Sequence, residues 1–184
     1  PYLNQEKTWG AIFKKEFFRM QKFHYQTDNH LLLYTLPGDN LFKEHKISLS
    51  FKYKPGIHNT HKIEIEGNKM STKYSVENPA FFLSDSLNFQ YARFDYQFIQ
   101  EKRDYKEYPL EGYMRELSVE AFHGIANNYH NIFITAKADH HHKLHPRWSV
   151  GNSIKAKLSW KKEIPYFLNQ AFGFEDYLRG YEYY

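Results

Sequence analysis

A chain of 184 residues has room for one domain of ordinary size. Aromatic residues make up 19% of it, with 16 Tyr and 16 Phe, yet 25% is charged and the mean hydropathy is −0.77, which suits strands with one apolar and one polar face. The absence of cysteine excludes disulfide staples and thiolate metal sites, and a net charge of +4 spread over scattered Lys and Arg leaves no nucleic-acid footprint.

The chain opens Pro1-Tyr-Leu-Asn-Gln, with no initiating Met and no signal-peptide pattern, and it stops inside a patterned segment. It is expected to be an internal piece of a longer protein. Its best apolar run, Leu31 to Leu36, is far below the roughly 18 residues of a membrane helix. Transmembrane strands remain open, because their signal per segment is weak. Between Trp9 and Tyr25 the alternation of Trp9, Ala11 and Phe13 is broken by Lys14-Lys15 and Phe17-Phe18, which predicts a bulged strand. Residues 27–44, with Pro37-Gly-Asp-Asn40, predict a long loop.

From Lys46 the period of two is regular. Ile47, Leu49, Phe51 and Tyr53 face one way, and Lys46, Ser48, Ser50 and Lys52 the other. A turn at 55–60 leads to Lys62–Gly67, where Ile63 and Ile65 oppose Glu64 and Glu66. After a second long loop around 78–86, Phe89–Asp104 sets Ala92, Phe94, Tyr96 and Phe98 against Arg93, Asp95 and Gln97. Tyr105–Gly112 turns, and Tyr113–Phe122 sets Leu117, Val119 and Ala121 against Glu116, Ser118 and Glu120. Tyr129–Asp139 follows with Ile132, Ile134, Ala136 and Ala138 outward, then a turn carrying His140-His-His142. Trp148–Trp160 closes the series with Val150, Ile154, Ala156 and Leu158 on its apolar face, interrupted by Asn152.

The fold class predicted is all-β: about seven antiparallel strands in a meander. In a soluble sandwich the apolar faces would form a packed core. In a transmembrane barrel they would meet lipid while the charged faces line a wet lumen. Strands of about ten residues match a tilted membrane crossing, whereas soluble strands are commonly five or six. Aromatics near strand ends, Tyr53, Tyr113, Phe122, Tyr129, Trp148 and Trp160, are placed as interface girdles would be. The pattern therefore favours part of a transmembrane β-barrel over the sandwich.

Near the end of the chain lies an Arg-Gly-Tyr triplet, Arg179, Gly180 and Tyr181. Gly180 can take a positive φ that a Cβ resists, and the Arg179 fork suits a bidentate carboxylate. A surface loop with a chance Arg-Gly fits the triplet equally well. Two motifs in order change this: Glu101-Lys-Arg103-Asp104 with its Pro109-x-x-Gly112 turn, and the stretch from Pro165 through Gly173 to Arg179-Gly180-Tyr181. Together they resemble the BamA/TamA family of outer-membrane barrels (the bacterial surface antigen domain), in versions closest to those of Bacteroidetes-like bacteria. Glu101 departs from the family's more usual Asp.

The resemblance covers the whole chain as a partial barrel, residues 1–184, with POTRA domains, first strand and closing strands outside it. It implies that Arg179, Gly180, Tyr181 and Gly173 belong to a long extracellular loop folded into the lumen. Arg179 would pair with an acidic residue on a later strand, and Arg93, on the wet wall, would matter much less. Arg103, Asp104, Pro109 and Gly112 would mark a periplasmic turn. The implied function is non-enzymatic, without cofactor: assembly, insertion or translocation of proteins at the bacterial outer membrane. The implied partners are outer-membrane lipid, client β-barrel proteins and periplasmic or lipoprotein accessory subunits, with no nucleic acid. The alternatives are a passive porin and a soluble β-rich carbohydrate-binding domain.

Other chemistry is weak. His140, His141, His142 and His145 lack a Cys or paired carboxylates at ligand spacing, so a solvated turn is expected rather than a metal site. Glu64, Glu66, Glu116 and Glu120 could be read as a catalytic carboxylate set, but their alternation on one polar face reads better as a charged wall. Neither a Gly-rich phosphate loop nor a Gly-x-Ser-x-Gly motif occurs.

Overall fold

The computed structural model describes residues 8–20, 24–28, 31–34, 42–72, 87–125, 129–145, 148–161, 164–165 and 168. Among these the fold is all-β. The strands are β1 (Trp9–Met20), β2 (His24–Asp28), β3 (Leu31–Tyr34), β4 (Phe42–Tyr53), β5 (Asn59–Ser71), β6 (Asn88–Glu101), β7 (Gly112–Gly124), β8 (His130–His145) and β9 (Trp148–Ser159). Seven of them form one open antiparallel sheet in the order β1-β4-β5-β6-β7-β8-β9, with β1 and β9 at its edges. The six segments with regular alternation thus pair as a meander in chain order, as expected.

Three local expectations are corrected. The predicted loop 27–44 holds most of a β2–β3 hairpin, which forms its own two-stranded sheet, and the start of β4. β1 pairs with β4 residue for residue from Trp9↔Tyr53 to Met20↔Phe42, so it has no bulge. Lys14 and Lys15 merely take one face each, beside Ser48 and Ile47. The third concerns the histidines: β8 runs on to His145, so His140–His142 stand in a strand opposite Asn152, Gly151 and Val150. Gly151 makes room there, since a Cβ would lie 2.7 Å from the His141 ring.

The register aligns the apolar residues in rows across the sheet. Phe13, Leu49, Ile65, Phe94, Ala121 and Ile132 make one row; Ala11, Phe51, Ile63, Tyr96, Val119, Ile134 and Leu158 make the next. Ile47, Leu49, Phe94, Phe98, Leu117, Ile134 and Leu158 all share this face, as the alternation predicts. It is a surface rather than a core: Ile65 is 52% exposed, Leu158 68% and Ile154 72%. The sheet strands are 12 to 16 residues long, more than the about 9–11 a tilted strand needs to cross hydrocarbon. From the row of Ile47 to that of Ile154 is about 27 Å along the strands, or roughly 20 Å upright at a tilt of ~40°.

The buried residues lie on the opposite face. Phe42, Met70, Phe89, Tyr91, Phe122, Tyr129 and Phe133 form one cluster at the end of the sheet that carries the long connections. Ile164 and Leu168, beyond β9, pack against it, and Pro165 is fully buried. Phe122 and Tyr129 therefore belong to an inner aromatic floor, not to a girdle. The outer face keeps its own ladder at the short-turn end: Trp9 stacks on Tyr53 at 4.2 Å, Tyr53 on His61 at 5.9 Å, and His61 meets Phe98 at 4.9 Å.

Candidate functional site

The inner face is built from the polar members of each alternating strand, and its centre is Glu66. Strand β5 buries this carboxylate to 2% exposure between β4 and β6. Such a charge needs partners, and two cations supply them: Lys46 Nζ at 3.0 Å and Arg93 Nη2 at 2.7 Å. Tyr91 donates its hydroxyl to the same carboxylate at 3.4 Å. Arg93 also stands 3.6 Å from Glu64 and 3.9 Å from Glu120. Lys62 holds Glu64 at 2.8 Å, and Gln97 donates to Glu116 at 2.6 Å. Arg93 is thus no solvent-washed wall position but the hub of the network. The four glutamates are spread among these partners as a charged wall.

Between this network and the aromatic floor lies a cavity of about 230 Å³. Lys46, Glu66, Arg93 and Glu120 line one side, with Phe122, Phe133 and Leu168 on the other. Lys157 lies over the Phe133 ring at 4.8 Å. Sequence reasoning missed the floor, although parity alone puts Phe89 and Tyr91 on the face of Arg93, and Phe122 on that of Glu120.

The β6–β7 turn brings together the residues singled out there. Arg103 donates to Glu101 through Nε at 2.7 Å and Nη2 at 2.6 Å, and its Nη1 lies 3.8 Å from Asp139 on β8. Asp104 Oδ1 accepts from the backbone N–H groups of Tyr105 at 2.9 Å, Leu110 at 3.0 Å and Glu111 at 3.2 Å. Desolvation is outweighed by these donors, which hold the Asp104 carboxyl below the usual carboxylate range. Pro109 is half-buried within the loop that Asp104 closes.

Gly112 has φ +105, and a Cβ there would stand 2.1 Å from the Lys102 carbonyl oxygen. Gly112→Ala is expected to destabilise the full-length protein by about 1–3 kcal/mol through backbone strain. The midpoint of urea unfolding would report this, and an unchanged midpoint would show that the turn re-forms without the glycine.

Gly173, Arg179, Gly180 and Tyr181 lie outside the described residues. In the nearest described part of their segment, Ile164 and Leu168 pack on the inner floor and Pro165 is buried. Among the described residues no group of three or more His, Cys, Asp or Glu side chains is placed to hold a metal ion. His140 and His142 meet edge to face at 4.1 Å on the outer face.

Fold and faces together define the class: an antiparallel meander, apolar outside and ion-paired inside, of the kind a β-barrel wall requires. No protein-family model, curated protein or solved structure matches this chain.

Proposed function

We propose that this chain is part of the transmembrane barrel of an outer-membrane assembly or translocation protein of the BamA/TamA family. The observation that carries this reading is the exposed apolar face running unbroken from β1 to β9, opposite an inner face of ion pairs. In water such a face would be covered; in a bilayer it is the lipid-facing wall. Support for the family comes from the turn, where Arg103, Asp104 and Gly112 each have a distinct structural task, and from Ile164 and Leu168, just beyond β9, packing on the inner-face cluster. The protein works without covalent chemistry. It offers client β-barrel chains a strand edge at which backbone groups pair, since lipid cannot satisfy them. Accessory subunits meet it at the periplasmic, short-turn end.

The test is growth complementation by the full-length protein carrying Arg179→Ala. Complementation is expected to be lost, and to return only in part with Arg179→Lys, because an ammonium cannot replace the guanidinium fork. Lys52→Ala, at an exposed inner-face position, is expected to be near wild type. Full complementation by Arg179→Ala, with the segment after Pro165 cleaved by protease as in wild type, would remove the family reading. A passive porin is the second reading, favoured by the lining of both charge signs. Ion conductance, with no loss of client assembly on depletion, would select it.

A further inference from the structure

Tyr113, the second residue of β7, lies on the outer face at the short-turn end, and three basic side chains gather on its ring. The Arg115 guanidinium lies 4.6 Å from the ring centroid and the Lys102 ammonium 5.6 Å. The His140 ring stacks on it at 6.3 Å with planes 24° apart. Lys102, Arg115 and His140 are all exposed. Among the described residues no carboxylate pairs with Lys102 or Arg115, and strand alternation explains why. Their acidic neighbours Glu101 and Glu116 point to the inner face, where Arg103 and Gln97 hold them. The sheet thus turns these two strand carboxylates away from the cations.

The place matters as much as the charge. Arg115 stands opposite Gln100 and Ala138, in the row next to that of Leu117, Ala136 and Ala156. The cluster therefore sits where the apolar rows end. An aromatic ring under a guanidinium fixes its plane and leaves its N–H edge free for an acceptor. Tyr at this height is the usual boundary residue of a membrane protein. We infer that Lys102, Arg115, Tyr113 and His140 form a binding site for the phosphodiester of a membrane phospholipid in the leaflet at the short-turn side. Its acyl chains would run along Leu117, Ala136 and Leu158. This rests on the membrane reading above and adds a defined lipid contact to it.

The test uses full-length protein in phosphate-free dodecyl maltoside micelles, titrated with phosphatidylglycerol and followed by native mass spectrometry. Wild type is expected to retain a lipid that Lys102→Gln/Arg115→Gln loses. At about fivefold per cation near a membrane surface, the affinity should fall about 30-fold. The control Lys52→Gln/Lys155→Gln, which removes two inner-face cations, should bind as wild type does. If the double variant does not fold, judged by heat-modifiable mobility, Arg115→Gln alone should show a loss of about fivefold. Equal lipid affinity in wild type and variant would overturn the site while leaving the membrane reading intact. Displacement of the lipid by inorganic phosphate at matched concentration would make it a free-phosphate site and overturn the lipid assignment. A wild-type protein that stays soluble without detergent would remove the membrane reading, and this site with it.

Discussion

Arg93→Met is expected to destabilise the full-length protein by about 3–5 kcal/mol, the range seen when one partner of a buried pair is removed. Methionine keeps much of the volume, so packing is not the cause. What is lost is the cation shared by Glu66, Glu64 and Glu120. Glu66, at 2% exposure, would keep only Lys46 and the Tyr91 hydroxyl. Replacing both charges, as Arg93→Met/Glu66→Leu, should recover a large part of the loss, since an apolar pair needs no compensation. Urea unfolding in detergent or bilayers gives both numbers. A single-variant loss below about 1 kcal/mol would mean that water screens the network as on an open surface.

Ile134→Arg, in the central row, is expected to cost about 2–4 kcal/mol in a bilayer and Leu117→Arg, nearer its edge, less, against little for Ser118→Arg. Leu117 and Ile134 are 42% and 41% exposed on the apolar face, while Ser118 stands between Gln97 and Thr135 on the polar one. The comparison isolates the face, because residues 117 and 118 share a strand and nearly the same depth. Heat-modifiable mobility of the assembled protein reads the outcome. Equal tolerance of Arg at 117 and 118 would show that the apolar face does not meet lipid.

The period of two made the meander legible from Lys46 onward, because each strand with one polar face carries its own orientation. Where both faces mix polar and apolar residues the signal fails. Phe17 and Phe18 in β1 read as a break, although they are simply an outer and an inner residue beside His45 and Glu44. The end of β8 was hidden in a similar way. Three histidines look like a turn until Gly151 on the partner strand is known to leave space for His141. The inner floor was visible in the parity of Phe89, Tyr91 and Phe122, yet aromatics at strand ends suggest girdles first. The Arg93 hub could not be read from sequence, because a polar face does not reveal which of its charges lose water. Asp104 and Gly112 were legible as a turn; their division of labour, one capping N–H groups and one yielding space, depends on a folded geometry that residue types alone do not specify.

The two-faced register also acts as a check on strand pairing during assembly. If β5 slipped by one residue against β4, Glu64 and Glu66 would turn outward and Ile63 and Ile65 inward, so every side chain would change face at once. Such an error is self-evident to the chain, since no part of the misplaced strand is satisfied. A slip of two residues keeps the faces and is the more insidious mistake. Against β6 it would take Glu66 from its place directly opposite Arg93 to one opposite Tyr91 or Asp95. The ion-paired centre thus distinguishes the pairings that hydrophobicity alone would accept.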